Sequence, residues 1–235
     1  LEEAGYRVVA FDQRGYSPLA RPETLYSYQI SEITKDIFAV ADVIGAEEFH
    51  LIGHDWGSVV GWSAVLSNPS RITSWTALSF PHPAAFGAAL LDDQDQQERS
   101  SYVAFFQTPW LPETVFSFNS FSVLKTLLAG MSDEKMKEYI NVFSEPGALT
   151  SALNWYRALR DDLLFELEGV ESLEVKTPTL FLWGNQDQSV GRVAVDGMAE
   201  FIEGPYTNIE LEAGHWLFVD QPERVISEIL IHLEQ

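Results

Sequence analysis

The 235 residues carry 14 Lys+Arg against 35 Asp+Glu, a formal charge of −21. This length makes one large domain, or one domain with an insertion, able to bury a sizeable core, and the 46% hydrophobic and 13% aromatic content excludes a disordered chain. So acidic a chain repels nucleic acid and anionic membranes, so neither is expected as a partner, and the absence of cysteine excludes disulfides, thiolate metal sites and a Cys nucleophile, which fits the cytoplasm.

No run approaches the ~18 apolar residues of a membrane span. Leu1–Arg7 has neither a basic stretch nor an apolar one. It reads as the tail of a helix running into a strand, so the chain is expected to begin in mid-domain. Tyr6–Phe11 is an apolar, β-branched run, expected as a strand buried on both faces. Asp12–Ser17 reads as a loop. Ser31–Ile44 places Ile33, Ile37, Val40, Ala41 and Ile44 at helical spacing, with Ser31 as N-cap and Gly45 just past the end. Phe49–Ile52 is a second buried strand, Gly57–Leu66 a helix of small residues stopped by Asn68-Pro69, and Ile72–Phe80 a third strand.

From Pro83 to Leu173 the pattern turns helical, polar and aromatic. Thr179–Trp183 restores the strand pattern, followed by a helix over Val190–Phe201, a strand over Asn208–Leu211 and a helix over Pro222–Leu233. Strand and helix alternate on both sides of a helical insert, the signature of a mostly parallel α/β sheet. The expected organisation is a core over 1–83 and 174–235 with a helical cap over 84–173.

Gly53-His54-Asp55-Trp56-Gly57 sits between a buried strand and a helix of small residues. A sharp strand-to-helix turn flanked by glycines is the shape of a nucleophile elbow. With Asp55 at its centre, a carboxylate could attack an alkyl carbon and form an ester on the chain itself. The alternative is an Asp that simply caps a helix. Asp187 follows the strand TLFLW, and His215 follows the last strand. The order nucleophile, acid, histidine is that of α/β hydrolases. His215 would activate water, and Asp187 would hold its tautomer and stabilise the imidazolium.

Four segments carry a resemblance: Asp12-Gln13-Arg14-Gly15-Tyr16-Ser17, Gly53-His54-Asp55-Trp56-Gly57, Trp183-Gly184-Asn185-Gln186-Asp187 and Gly214-His215. On them the chain resembles the epoxide hydrolase and haloalkane dehalogenase branch of the α/β-hydrolase superfamily. Ser101–Gln107 and Asn154–Arg157 resemble the cap segments that carry the paired tyrosines of epoxide hydrolases, which implies Tyr102 and Tyr156. Opening an epoxide develops an alkoxide that needs a proton, and a phenol, with an ordinary pKa of about 10, keeps one at neutral pH. Two phenols converging on one oxygen stabilise the charge as it forms. A departing halide needs no proton.

The resemblance implies a small apolar epoxide or haloalkane substrate. The backbone N–H of Trp56 is the candidate oxyanion donor, and Phe106, Trp155 and His82 are candidates for substrate contact, His82 also for a structural role. No cofactor is implied. No ligand spacing such as HExxH and no glycine-rich phosphate loop occurs, so no metal is expected. A non-catalytic binder of apolar ligands is the rival from another class, and a homodimer is left open. The resemblance also implies a His-Gly-x-Pro segment, supplying a second oxyanion N–H, and a strand between those matching YRVVAF and FHLI. The chain as given starts after both, so the fold is expected to be N-terminally truncated and the 235 residues part of a longer reading frame.

Overall fold

A computed structural model describes residues 1–127, 132–159 and 172–235. The stretches 128–131 and 160–171 of the expected cap lie outside the described residues. The helices in chain order are α1 (Ile30–Val43), α2 (Trp56–Ser67), α3 (Pro83–Asp92), α4 (Gln94–Arg99), α5 (Tyr102–Gln107), α6 (Leu111–Leu127), α7 (Asp133–Ser144), α8 (Ala148–Ala158), α9 (Arg192–Asp196), α10 (Leu217–Asp220) and α11 (Pro222–Leu233). The chain divides into two compact units.

The core unit comprises Leu1–Val9, Ile33–Ser100 and Asp162–Gln235. Among the described residues its sheet has four parallel strands in chain order, β1 (Phe49–His54), β2 (Ile72–Leu78), β3 (Thr179–Gly184) and β4 (Tyr206–Leu211). The sequence places each of these within two residues at either end. All six residues of β3 are buried, as an apolar central strand requires. Leu78, Leu180, Leu182 and Leu211 pack against Leu217, Val225 and Ile229 of α10 and α11. α2 buries eight residues, and its small side chains permit close approach. A Cβ on Gly61 would stand 2.0 Å from the Trp75 ring.

Local sequence sets the ends of α1. Gly45, at φ 74°, closes it with Ala46 N–H donating to Ala41 O (2.8 Å) and Gly45 N–H to Asp42 O (3.1 Å), a Schellman pattern. Ser31 lies inside the first turn rather than at the cap, because the helix begins at Ile30.

Tyr6–Phe11 corrects a larger expectation. It forms no strand among the described residues, and Val8, Val9 and Phe11 are 50%, 45% and 40% exposed. A strand needs a ladder partner. Among the described residues β1 is an edge that pairs with β2 alone, and the run touches it where the Tyr6 ring edge meets His50.

The cap unit comprises Ala10–Glu32 and Ser101–Asp161. Phe116, Leu124 and Leu153 form its centre, with Phe105, Phe106, Phe121 and Phe143 packed around them. α6 is broken where Asn119, Ser120 and Phe121 take φ of 47°, 54° and 63°. Arg157 and Glu113 pair at 2.7 and 2.8 Å and tie α8 to α6. This unit starts at Ser101, not at residue 84. α3 belongs to the core unit, where His82 at its N-terminus stacks on Phe201. The cap unit also takes in Ala10–Glu32, whose loop is held by Trp155 Nε1–H donating to Arg14 O (2.9 Å). Among the described residues, no helix is long and apolar enough to cross a membrane.

Candidate active site

β1 ends at His54, and the chain turns into α2 through Asp55 at φ 52°, ψ −120°. An L-residue with a side chain is strained there. The turn is tight because α2 comes back onto β1. A Cβ on Gly53 would lie 2.3 Å from Gly57 O, so only glycine fits. Ser58 N–H and Val59 N–H donate to the Asp55 carbonyl at 2.9 and 3.0 Å, and Trp56 N–H reaches the Asp55 carboxylate. The carboxylate therefore sits at a helix N-terminus with an amide already aimed at it.

β3 presents Asp187 and β4 presents His215. A Cβ on Gly184 would lie 2.3 Å from Ala213 O and 2.4 Å from Gly214 O, so the loop carrying the histidine lies directly on the end of β3. His215 Nδ1 is 2.9 Å from Asp187 Oδ2, and Nε2 is 3.3 Å from Asp55 Oδ2. The other Asp187 oxygen accepts from Ser189 N–H (2.7 Å) and Val190 N–H (3.2 Å). The Asp187 side chain is fully buried, His215 is 16% exposed and Asp55 34%.

Burial disfavours the imidazolium, but the hydrogen bonds and charges of Asp187 and Asp55 outweigh it and push His215 up to about 10. Burial would raise Asp55, yet the hydrogen bond and charge of His215 hold it below the ordinary carboxylate range. At neutral pH the free site thus sets the His215 imidazolium against an ionised Asp55.

The main chain of His215 is anchored too. Its carbonyl accepts from Ser79 Oγ–H (2.7 Å) and lies 2.9 Å from His54 Nε2. A carbonyl only accepts, so His54 is protonated on Nε2. Ser79 is fully buried at φ 66°. The sequence gives no sign of Ser79, which looks like one more strand residue before Phe80. Gln96 and Arg99 also touch the Asp187 loop, through Ser189, Gly191 and Asp187, from the polar helical stretch after Pro83.

The two tyrosines come together within the cap unit. Tyr102 on α5 and Tyr156 on α8 stand 6.1 Å apart edge to face, with Phe106 at 5.2 Å from one and 4.8 Å from the other. Gln107 Nε2–H donates to Tyr156 O (3.0 Å) and joins the two helices. Trp155 is 1% exposed, and its N–H donates to Arg14 O (2.9 Å). His82 is fully buried, its Nδ1 accepts from Ala84 N–H as the α3 cap, and burial pushes it down to about 4. Among the described residues no group of three His, Cys, Asp or Glu stands where it could hold a metal ion.

Known proteins share this architecture. The chain is 35% identical to human Epoxide hydrolase 4 over 242 residues, which is 98% of this chain and 66% of that protein, so it spans just under two thirds of that relative's length. It is 33% identical to AB hydrolase superfamily protein YfhM of Bacillus subtilis over 241 residues, 100% of this chain and 82% of that one. The crystal structure of an epoxide hydrolase from Bacillus megaterium in complex with an inhibitor superposes with a TM-score of 0.83 at 26% identity, covering 92% of this chain and 79% of that chain. A family model described as alpha/beta hydrolase fold matches residues 1–222, and the chain belongs to that family.

Proposed function

We propose that the chain is an epoxide hydrolase that works through an ester on Asp55. The observation that carries this reading is the Asp187–His215–Asp55 line, anchored on a buried Asp187, with Asp55 on a strained elbow. The likeness to epoxide hydrolases supports the substrate class. Asp55 attacks an epoxide carbon, the C–O bond breaks, and Tyr102 or Tyr156 gives a proton to the departing oxygen. The alkyl group neutralises Asp55. The histidine then loses one of the two anions that held its proton, its pKa falls, and that proton passes to the tyrosinate left by the donor phenol. Neutral His215 takes a proton from water, the hydroxide attacks the ester carbonyl of Asp55, and the Trp56 N–H receives the oxyanion. Collapse expels the alkoxide, which takes the proton of the new Asp55 carboxyl group, so a vicinal diol leaves and the carboxylate and imidazolium are restored. No step requires a cofactor.

The test is the intact mass of His215→Gln after incubation with styrene oxide or a 1-haloalkane. A gain equal to the whole epoxide, absent in Asp55→Asn, is the expected result. A gain of the alkyl group alone with released halide would replace the reading by a dehalogenase on the same residues. No adduct with either would overturn it in favour of a binding protein.

A further inference from the structure

The segment Asp92-Asp93-Gln94-Asp95-Gln96-Gln97-Glu98-Arg99 is polar throughout, yet Gln96 is fully buried. A buried primary amide is costly unless its groups are paired. Here both ends are. Gln96 Oε1 accepts from Gly191 N–H (2.8 Å), and Nε2 donates to Ser189 O (2.9 Å) and Ser100 Oγ (2.9 Å). The side chain pairs with the 189–191 backbone as a neighbouring strand would. One turn further on, Arg99 donates to the Asp187 carbonyl and pairs with Asp95. No space is left between α4 and this loop. A Cβ on Gly191 would meet Asp95 Oδ2 at 3.0 Å, and Arg99 Nε and Gln96 Oε1 at 3.4 Å.

The loop held from outside is the one that holds Asp187 from inside. Ser189 N–H and Val190 N–H donate to Asp187 Oδ1, leaving Oδ2 for His215. The carbonyl of Ser189, fixed by Gln96, belongs to the same planar peptide as the Val190 N–H, and the Gly191 N–H, also fixed by Gln96, belongs to the next one. Rotation of that peptide would aim the amide away from Oδ1. The carboxylate could then swing, and the bond to His215 Nδ1 would lengthen.

We propose that Gln96 and Arg99 are positioning residues for Asp187, acting through it on His215. This rests on the catalytic reading above only for its kinetic consequence. The groups facing His215 are Asp55, Asp187 and His54, and of these the clamp reaches Asp187 alone.

The prediction separates the two half-reactions. In Gln96→Met, alkylation of Asp55 should keep its rate, while ester hydrolysis, which needs an oriented His215, should slow roughly 10- to 100-fold. The ester should then accumulate in intact mass during turnover. Arg99→Met is the milder variant and keeps the test open if Gln96→Met folds poorly. Gln97→Met is the control, since Gln97 bonds Leu90 O and Leu91 O instead of the loop. Equal slowing of both steps, or the same effect from Gln97→Met, would overturn the proposal. A second readout needs no turnover. The His215 ring, titrated by NMR, should show a lower midpoint in Gln96→Met and Arg99→Met than in the parent. An unchanged midpoint would overturn the clamp even if the hydrolase reading stands. A lowered midpoint in a chain that forms no ester would keep the clamp and remove the hydrolase.

Discussion

The two units hold their candidate functional side chains by different means. In the core unit each group is fixed by directed polar bonds. Asp187 has two backbone amides and a histidine, and the His215 carbonyl has the Ser79 hydroxyl and His54. In the cap unit the rings of Tyr102 and Tyr156 meet Phe106 edge to face, and Gln107 donates to the Tyr156 carbonyl and joins their helices. Hydrogen bonds fix angle as well as distance, whereas aromatic edges tolerate a spread of geometries. The difference suits the proposed roles. Attack and water activation need atoms in line, while a proton donor must follow an oxygen that moves as the ring opens.

This contrast can be broken or sharpened by substitution. The largest effect should come from the core. Asp55→Asn should cut turnover by roughly 10⁴-fold or more and abolish the adduct, with little change in melting. Next, a methyl group on a glycine distinguishes the units. Gly53→Ala would drive α2 off β1, since the clash is with backbone, and should cost about 3 kcal/mol in denaturant unfolding. Gly147→Ala, at the start of α8, has open space and only φ 76° to strain it, so about 1–2 kcal/mol is expected. Equal costs would show that the elbow is no tighter than an ordinary turn.

The phenols come third. Tyr102→Phe and Tyr156→Phe keep the ring contacts and lose the proton donor. Each should slow ester formation from an epoxide roughly 100-fold, measured in single turnover at saturating substrate. An unchanged rate would assign the tyrosines to packing or binding instead.

How much of this was legible in the sequence follows the same division. Asp55, Asp187 and His215 are readable because a parallel sheet puts the ends of β1, β3 and β4 along one edge, so strand ends mark the place where side chains meet. Gly53 and Gly45 are readable because close approach and positive φ leave few other choices. Trp155 and His82 stay ambiguous in the sequence because an aromatic near a motif looks the same whether it faces a ligand or fills a core. Tyr6–Phe11 misled because an apolar, β-branched run records the capacity to pair, and pairing needs a neighbour that local pattern does not supply. Ser79 and Gln96 left no trace, since a single hydroxyl or amide acquires its role only from backbone brought close by the fold.

The smallest predicted effect follows from protons and tests whether the units are energetically separate. His215 is held at about 10 in the folded core against an ordinary value of about 6.5. A raised folded pKa means that the folded state binds the proton more tightly. Its contribution is complete below about pH 6.5 and is lost as pH climbs toward 10, with a slope no steeper than about 1.4 kcal/mol per pH unit for one proton. The lowered histidines His50, His54, His82 and His232 are all in the core and act in the opposite sense, at acid pH. In the cap, Glu113 would be raised by burial, but the Arg157 bond and charge hold it below its usual value, so its contribution is lost only as pH falls through the carboxylate range. Between pH 7 and 9.5, exchange-derived opening energies should therefore decline for amides of β3 and stay level for those of α8. His215→Gln should flatten the β3 profile. A parallel decline in α8 that the same substitution removes would mean that the cap opens only when the core does, and the two modes of holding side chains would then share one cooperative unit.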